Sequence, residues 1–241
     1  MSFDTPASKA PRPADRTTVG PTTGERALLW AGFPVLGAGA LWLLSRAAGW
    51  VASLPWAPLQ GPFKLVASLP EPQASIGALA VGALLGLALA FLADREYVTG
   101  VIGPGQAVLT VDGVTRTVPR DATAAVFQDG KSLVLLGHDT AELARLRGDF
   151  DAQRFAAAFE RHGYPWQADG DPYAADFRRW VAGQPDLSDA AHALLKARAH
   201  ALKKGNKEDA EQLRADLAEL GVVVREDKNG KDAAQHWRRI A

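Results

Sequence analysis

Cysteine is absent from all 241 residues. Disulfides, thiolate zinc sites and cysteine nucleophiles are therefore excluded, and with them thiol redox chemistry. Net charge is missing too, since 27 Lys or Arg balance 27 Asp or Glu. The chain as a whole is neither a strongly basic nucleic-acid binder nor a disordered acidic chain. That balance conceals a polarised arrangement. Charge of either sign is missing from residues 27–45 and again from 72–93, while the part from Asp94 onward carries 21 Lys or Arg and 23 Asp or Glu. Apolar and charged chemistry are separated along the sequence.

The two uncharged stretches, ALLWAGFPVLGAGALWLLS (27–45) and PQASIGALAVGALLGLALAFLA (72–93), have 19 and 22 residues. Each is long enough to cross roughly 30 Å of hydrocarbon as a helix. Neither has the polar face of an amphipathic core helix, and a signal peptide fits poorly because a long tail precedes the first span and a second span follows. Trp30 and Trp42 sit near the ends of the first span, with Trp50 and Trp56 just beyond, as interfacial aromatics do. A transmembrane helical hairpin over 27–93, set in a lipid bilayer, is expected. Residues 1–26 are rich in Pro, Thr, Ala and Ser without apolar periodicity and are read as a disordered tail.

Lys9, Arg12, Arg16 and Arg26 precede the spans and Arg95, Arg116 and Arg120 follow them, whereas the connecting loop has only Arg46 and Lys64. The positive-inside rule then puts both termini in the cytoplasm, in a multi-pass protein of the cell inner (cytoplasmic) membrane. The loop repeats VASLP at 51–55 and 66–70 and reads as a Pro-broken segment, interfacial or re-entrant. In the second span Ala78, Gly82, Gly86 and Ala90 recur every four residues. Small side chains on one face let another helix approach closely, either the first span or a second copy of the chain in a homo-oligomer.

Beyond Ala93 the pattern changes to short β-like runs: REYVTGVI, QAVLTVDG, VTRTVP, AAVFQD and KSLVLLG. They are divided by Gly-Pro-Gly at 103–105, Asp112-Gly113, Pro119 and Asp129-Gly130, which are turn signals. DFDAQRFAAAFERHGYPW then places Phe155, Ala158, Phe159 and His162 on one helical face that Gly163 and Pro165 terminate. The expectation is a small antiparallel β domain over 94–167 closed by one helix. VPRDATAAVFQDGKSLVLLGHDTAEL and AFERHGYPW resemble the pleckstrin-homology-like (PH-like) domain of bacterial membrane proteins over about 95–167. The resemblance implies a binding or scaffolding unit, not a catalytic one. Residues 168–185 read as an amphipathic linker, with Tyr173, Phe177, Trp180 and Val181 apolar and Arg178 and Arg179 basic. Such a helix would pack on a neighbouring domain or lie on the cytoplasmic leaflet.

The last part, 186–241, carries a helical hairpin. Ser188 caps a first helix that Gly205 ends, and Asn206 caps a second with Ala210, Leu213, Leu217 and Leu220 as an apolar stripe facing Leu194, Leu195 and Leu202. Gly221 stops it, Val222 to Val224 has β character, and Asn229-Gly230 is a turn leading towards Trp237. ARAHALKKGNKEDAEQLRADLAELGVVVRED, ending in QHWRR, resembles the C-terminal region of cysteinyl-tRNA synthetase, where the comparable residues form an element on the anticodon side. No adenylate-forming domain, nucleotide signature or cysteine-ligated zinc accompanies it. With the two spans and the β domain, the whole chain resembles the YqeB family of uncharacterised bacterial membrane proteins.

From 186 to 241 there are 11 Lys or Arg against 10 Asp or Glu, short of the concentrated basic surface that phosphate binding uses. Local clusters remain at Lys203, Lys204 and Lys207 and at Arg225, Lys228, Lys231, Arg238 and Arg239. The residues chosen for RNA contact are Arg214, Arg225 and Arg238. The five histidines, His138, His162, His192, His200 and His236, lack metal-ligand spacing, and Gly103 to Gln106 lacks the Lys-Ser or Lys-Thr of a phosphate loop. No catalytic, cofactor or metal residue is assigned. The sequence thus reads as a multidomain α+β membrane protein and not an enzyme. It would present cytoplasmic PH-like and synthetase-derived modules for binding or scaffolding, with a cytoplasmic protein as partner. The alternative is a membrane-tethered RNA- or tRNA-binding factor.

Overall fold

A computed structural model describes residues 16–53, 70, 72–226 and 234–240. Residues 66–69 of the second VASLP copy, the Asn229-Gly230 turn, Lys228 and Lys231 lie outside the described residues. The described residues form two compact units, one within 20–99 and 111–113, the other within 16–19, 100–110 and 114–240.

The first unit is a pair of helices, α1 (Thr23–Ser53) and α2 (Gln73–Arg95). A capping box starts α1. Thr22 Oγ1 accepts from the Glu25 amide at 3.2 Å, and Glu25 Oε2 accepts from the Thr22 amide at 2.6 Å, so two orphan donors are satisfied reciprocally. Helix α1 is longer than its uncharged stretch and runs on through Arg46, with Pro34 inside it. Both helices are long and apolar enough to cross a membrane. Arg26 at the start of α1 pairs with Asp94 at the end of α2 at 3.3 Å, and Arg95 pairs with Asp112 at 2.6 Å.

The second unit starts with a departure from the sequence reading. Composition assigns residues 1–26 to a disordered tail, yet β1 (Thr17–Val19) is a strand with Val19 buried. It pairs antiparallel with β2 (Thr99–Ile102) in the register Thr17↔Ile102 and Val19↔Gly100. Three residues carry no readable periodicity, and the partner that orders them lies some eighty positions away. Strands β3 (Gln106–Val111) and β4 (Val114–Pro119) complete the sheet β1-β2-β3-β4. Asp112 and Gly113 have φ of 50° and 77°, which a two-residue type I′ hairpin needs at both centres.

A second sheet runs β7-β6-β5-β8 and consists of β5 (Thr123–Asp129), β6 (Ser132–Gly137), β7 (Glu142–Arg147) and β8 (Trp166–Gln167). All six residues of β6 are buried. Val134 and Leu136 join Ala125 and Phe127 in a cluster on which Tyr173 packs. The alternate residues, Leu133 and Leu135, point to the opposite face. Helix α3 (Ala152–Arg161) is capped by Asp151, whose carboxylate accepts from the amides of Gln153 and Arg154, and it buries Phe155, Ala158 and Phe159. The Phe159 ring meets Tyr164 edge-on at 5.2 Å and stacks on Trp166 at 6.2 Å.

Segment 168–185 does not form the expected amphipathic helix. It makes a single 3-10 turn (Ala174–Asp176) and then strand β9 (Arg178–Arg179). Its backbone bonds go to a neighbouring strand instead: the Trp180 amide donates to the Gln235 carbonyl at 2.8 Å. The Trp180 indole donates to His192 Nδ1 at 3.0 Å, and the ring packs on the C-terminal core. Helices α4 (Asp189–Lys203) and α5 (Lys207–Glu219) follow, capped by Ser188 and Asn206 as the sequence implies. Strands β10 (Val222–Glu226) and β11 (Gln235–Arg239) form the sheet β10-β11-β9. The core joins Ala191, Leu195, Leu217, Val222, Val224 and Trp237. The expected leucine stripe is narrower than the spacing suggests: Ala210 and Leu217 are buried, Leu213 is half-buried, and Leu220 is 46% exposed because the helix has ended at Glu219.

Candidate interaction surfaces

Helix α2 places Ala78, Gly82, Gly86 and Ala90 along one line. Gly82, Gly86 and Ala90 are buried, Ala78 is half-buried, and Ala74 continues the line. A Cβ added at Gly82 would overlap the Gly37 carbonyl oxygen of α1, and one at Gly86 would overlap the Phe33 carbonyl oxygen. At both places backbone meets backbone, the close approach that only glycine permits. Gly37 is the residue the sequence reading missed, and a Cβ there would in turn overlap the Gly82 carbonyl. The large side chains point elsewhere: Leu36 is 72% exposed and Leu84 66%.

The C-terminal module is organised around Arg198, which is completely buried. Its guanidinium donates to Glu226 Oε1 at 2.6 Å, Gln235 Oε1 at 2.8 Å and the Ala210 carbonyl at 3.2 Å, tying α4 to α5, β10 and β11. Gln235 in turn donates to the Leu195 carbonyl at 2.8 Å. Burial pushes the Arg198 guanidinium below its ordinary value, and neighbouring Arg214 adds to the effect while Glu226 opposes it. Arginine at an apolar-stripe spacing inside α4 is the only sequence signal of this role.

The three arginines chosen for RNA contact occupy distinct settings. Arg214 is 14% exposed and surrounded by carboxylates: Glu211 at 3.3 Å, Glu142 of β7 at 3.5 Å and Glu226 at 3.9 Å. Arg238 is buried and donates to the Thr140 carbonyl at 2.7 Å and Thr140 Oγ1 at 3.1 Å, with its guanidinium 5.2 Å from the Tyr173 ring centroid. Burial lowers its pKa, opposed by Asp171 and Glu142. Arg225 is half-buried, lies 4.1 Å over the Phe177 ring and donates to the Ala174 carbonyl at 3.4 Å. Two of the three therefore reach into the β domain rather than out to solvent.

The acceptor on the β-domain side is Glu142. Burial alone would raise its carboxyl. Arg145, which binds it at 2.7 Å, together with Arg214 and Arg238, holds it below the ordinary carboxylate value instead. Arg145 also pairs with Asp129 at 3.0 Å, and these carboxylates keep its guanidinium protonated against the pull of burial. Lys203, Lys204 and Lys207 stay exposed beside an open groove lined by His200, Asn206, Asp209 and Gln212. Among the described residues no three His, Asp or Glu side chains gather as a metal site would require.

Two long apolar helices, a PH-like β domain and a synthetase-like helix-and-strand module define a multidomain α+β protein. The chain belongs to the YqeB family. A model described as the YqeB-like bacterial PH domain matches residues 17–167, and one described as the cysteinyl-tRNA ligase anticodon binding domain matches 184–238. Neither is a catalytic domain. The chain is 37% identical over 227 residues to the uncharacterized protein YqeB of Bacillus subtilis (strain 168), a match that covers 92% of this chain and 91% of that protein. No solved structure matches.

Proposed function

We propose that the chain is a non-catalytic integral protein of the bacterial inner membrane. It carries a PH-like domain and a synthetase-derived module on the cytoplasmic side for binding or scaffolding. The observation that carries this reading is the surface of the helix pair. All but four of the exposed large apolar side chains among the described residues belong to α1 and α2, the others being Val114, Leu143, Val181 and Leu220. A core helix of a soluble protein buries such residues, whereas these helices bury chiefly their glycine seam. The seam of Ala78, Gly82, Gly86 and Ala90 would hold the hairpin together within one chain.

Connectivity supports placing both ends on one side. Strands β1 and β2 are hydrogen-bonded partners, and they lead into α1 and out of α2 with only three intervening residues each. Two crossings joined in this way form a hairpin, and the Lys and Arg bias directs the shared side to the cytoplasm. Reporter fusions at Gly61 and after Ala241 test this. Opposite signals are expected, and equal signals would refute the two-span hairpin.

A second reading, a membrane-tethered RNA- or tRNA-binding factor, is favoured by the match to the anticodon binding domain. Pull-down of the cytoplasmic part with RNA sequencing and mass spectrometry separates it from a protein partner.

A further inference from the structure

The sheet β7-β6-β5-β8 has one face whose occupant comes from outside the β domain. Phe127 of β5 lies opposite Val134 of β6, which lies opposite Arg145 of β7, and the row beside it runs Ala125, Leu136 and Glu142. Directly opposed residues share a face, so an apolar floor is bordered by a base and an acid. Asp129, two positions beyond Phe127, extends that charged border and pairs with Arg145 at 3.0 Å. The floor residues Ala125, Phe127, Val134 and Leu136 are buried, and the partly buried ring packed against them is Tyr173.

Tyr173 belongs to a strap, 171–177, that reads DPYAADF and so combines two acids with two aromatic rings. The Ala174 amide donates to the Asp171 carbonyl and the Asp176 amide to the Tyr173 carbonyl, both at 3.1 Å, which spends these bonds inside the strap. Strand pairing begins only at Arg178. Side chains of the C-terminal module hold the strap instead. The Arg238 guanidinium stands 5.2 Å from the Tyr173 ring centroid and 5.5 Å from that of Phe177, while Arg225 covers Phe177 at 4.1 Å and donates to the Ala174 carbonyl at 3.4 Å. The fit is incomplete. Arg238 is buried, yet among the described residues its Nε donor meets no acceptor. Asp171 accepts the Tyr173 amide at 2.9 Å, and burial raises its carboxyl above the ordinary value although Arg238 and Arg225 pull the other way.

We propose that this cleft, floored by Phe127 and Val134 and flanked by Arg225 and Arg238, docks an acidic and aromatic peptide segment of a partner protein, and that the strap 171–177 is its resting occupant. A competing segment brings a ring for the floor and the guanidinium faces, and a carboxylate for the unmet Arg238 donor. It displaces the strap without breaking a strand ladder. The chemistry of the partner is thus read from the segment already seated there. RNA fits less well, because a phosphate backbone needs a track of free cations, whereas Arg145 and Arg214 are already paired with Asp129, Glu142 and Glu211. The inference rests on the binding reading above and names the surface, the partner class and the contact that closes it.

The test uses the full chain in phosphatidylcholine nanodiscs and a fluorescein-labelled peptide of residues 169–178, followed by fluorescence anisotropy. Wild type, whose strap fills the cleft, should bind weakly. The double variant Tyr173→Ala, Phe177→Ala empties the cleft and should bind about 10-fold more tightly or better, because apparent affinity scales with the open fraction. Phe177→Leu keeps most of the apolar volume and should gain about 3-fold, and the tryptophan melting transition checks that each variant is folded. Adding Arg225→Gln to the double variant should weaken binding about 5-fold, and a control peptide with both rings changed to Ala should not bind. In wild type, saturating peptide should speed amide hydrogen exchange across 171–177, the segment it displaces. Unchanged exchange there, no gain in either folded variant, equal binding of the control peptide, or a gain that survives Arg225→Gln undiminished would overturn the proposal. So would an emptied cleft that takes up oligouridylate or phosphatidylglycerol vesicles and not the peptide. Alkaline extraction of the same preparations reads insertion separately, so a chain that inserts but ignores the peptide refutes this inference and not the membrane anchor.

Discussion

Removing Arg198 should unfold the C-terminal module at a lower temperature than any surface change. The Arg198→Ala variant strips hydrogen-bond donors from Glu226, Gln235 and the Ala210 carbonyl at once. Breaking a buried charge pair by deleting one partner costs about 3–5 kcal/mol. The Glu226 side chain is 25% exposed, so water partly re-solvates it, and Arg214 at 3.9 Å remains near. Both facts favour the lower end, about 3 kcal/mol. In a module of this size each kcal/mol moves the melting point by about 4–8 °C, which gives a fall of about 12–24 °C. Trp237 and Trp180 pack in and against the same core, so tryptophan fluorescence during heating reports this transition. Arg198→Met retains most of the volume and isolates the charge; it should recover part of the deficit once Glu226→Leu removes the stranded carboxylate. A shift under about 4 °C in Arg198→Ala, about 1 kcal/mol or less, would refute the view that this guanidinium joins the two helices to the sheet.

Gly82→Leu should push α1 and α2 apart and lower the detergent melting temperature or crosslinking yield, because the added side chain meets the backbone of Gly37 and Ala38. Gly77→Leu, where nothing lies within 4 Å, should be tolerated. Leu217→Ala should cost about 2–5 kcal/mol in chemical denaturation and Leu220→Ala about 0.5 kcal/mol or less, since only the first is buried. Glu142 has a folded-state pKa below its ordinary 4.5, so its contribution is full above that value and is lost as pH falls through the folded value. Wild type should therefore lose more stability than Glu142→Gln in acid melts below pH 4.5, and parallel curves would count against the Glu142–Arg145–Arg214 network.

Local chemistry was legible in the sequence wherever it acts over a few residues. The absence of charge in 72–93 accounts for α2, the Asp112-Gly113 and Asp129-Gly130 pairs account for two hairpins, and Ser188 and Asn206 mark two helix starts. The four-residue recurrence of small side chains in α2 likewise follows from helical geometry alone. Partnering over long range was decided only in the tertiary structure. Strand β1 exists because β2 supplies its hydrogen bonds, and Arg178–Arg179 form a strand because β11 offers an edge. The arginines make the same point. Composition gives Arg198, Arg214, Arg238 and Arg179 the same charge, and a guanidinium carries no local signal of its partner. Packing encloses Arg198, surrounds Arg214 with carboxylates, turns Arg238 onto Thr140 and leaves Arg179 in solvent, because burial and opposing charge are set by residues up to 98 positions away.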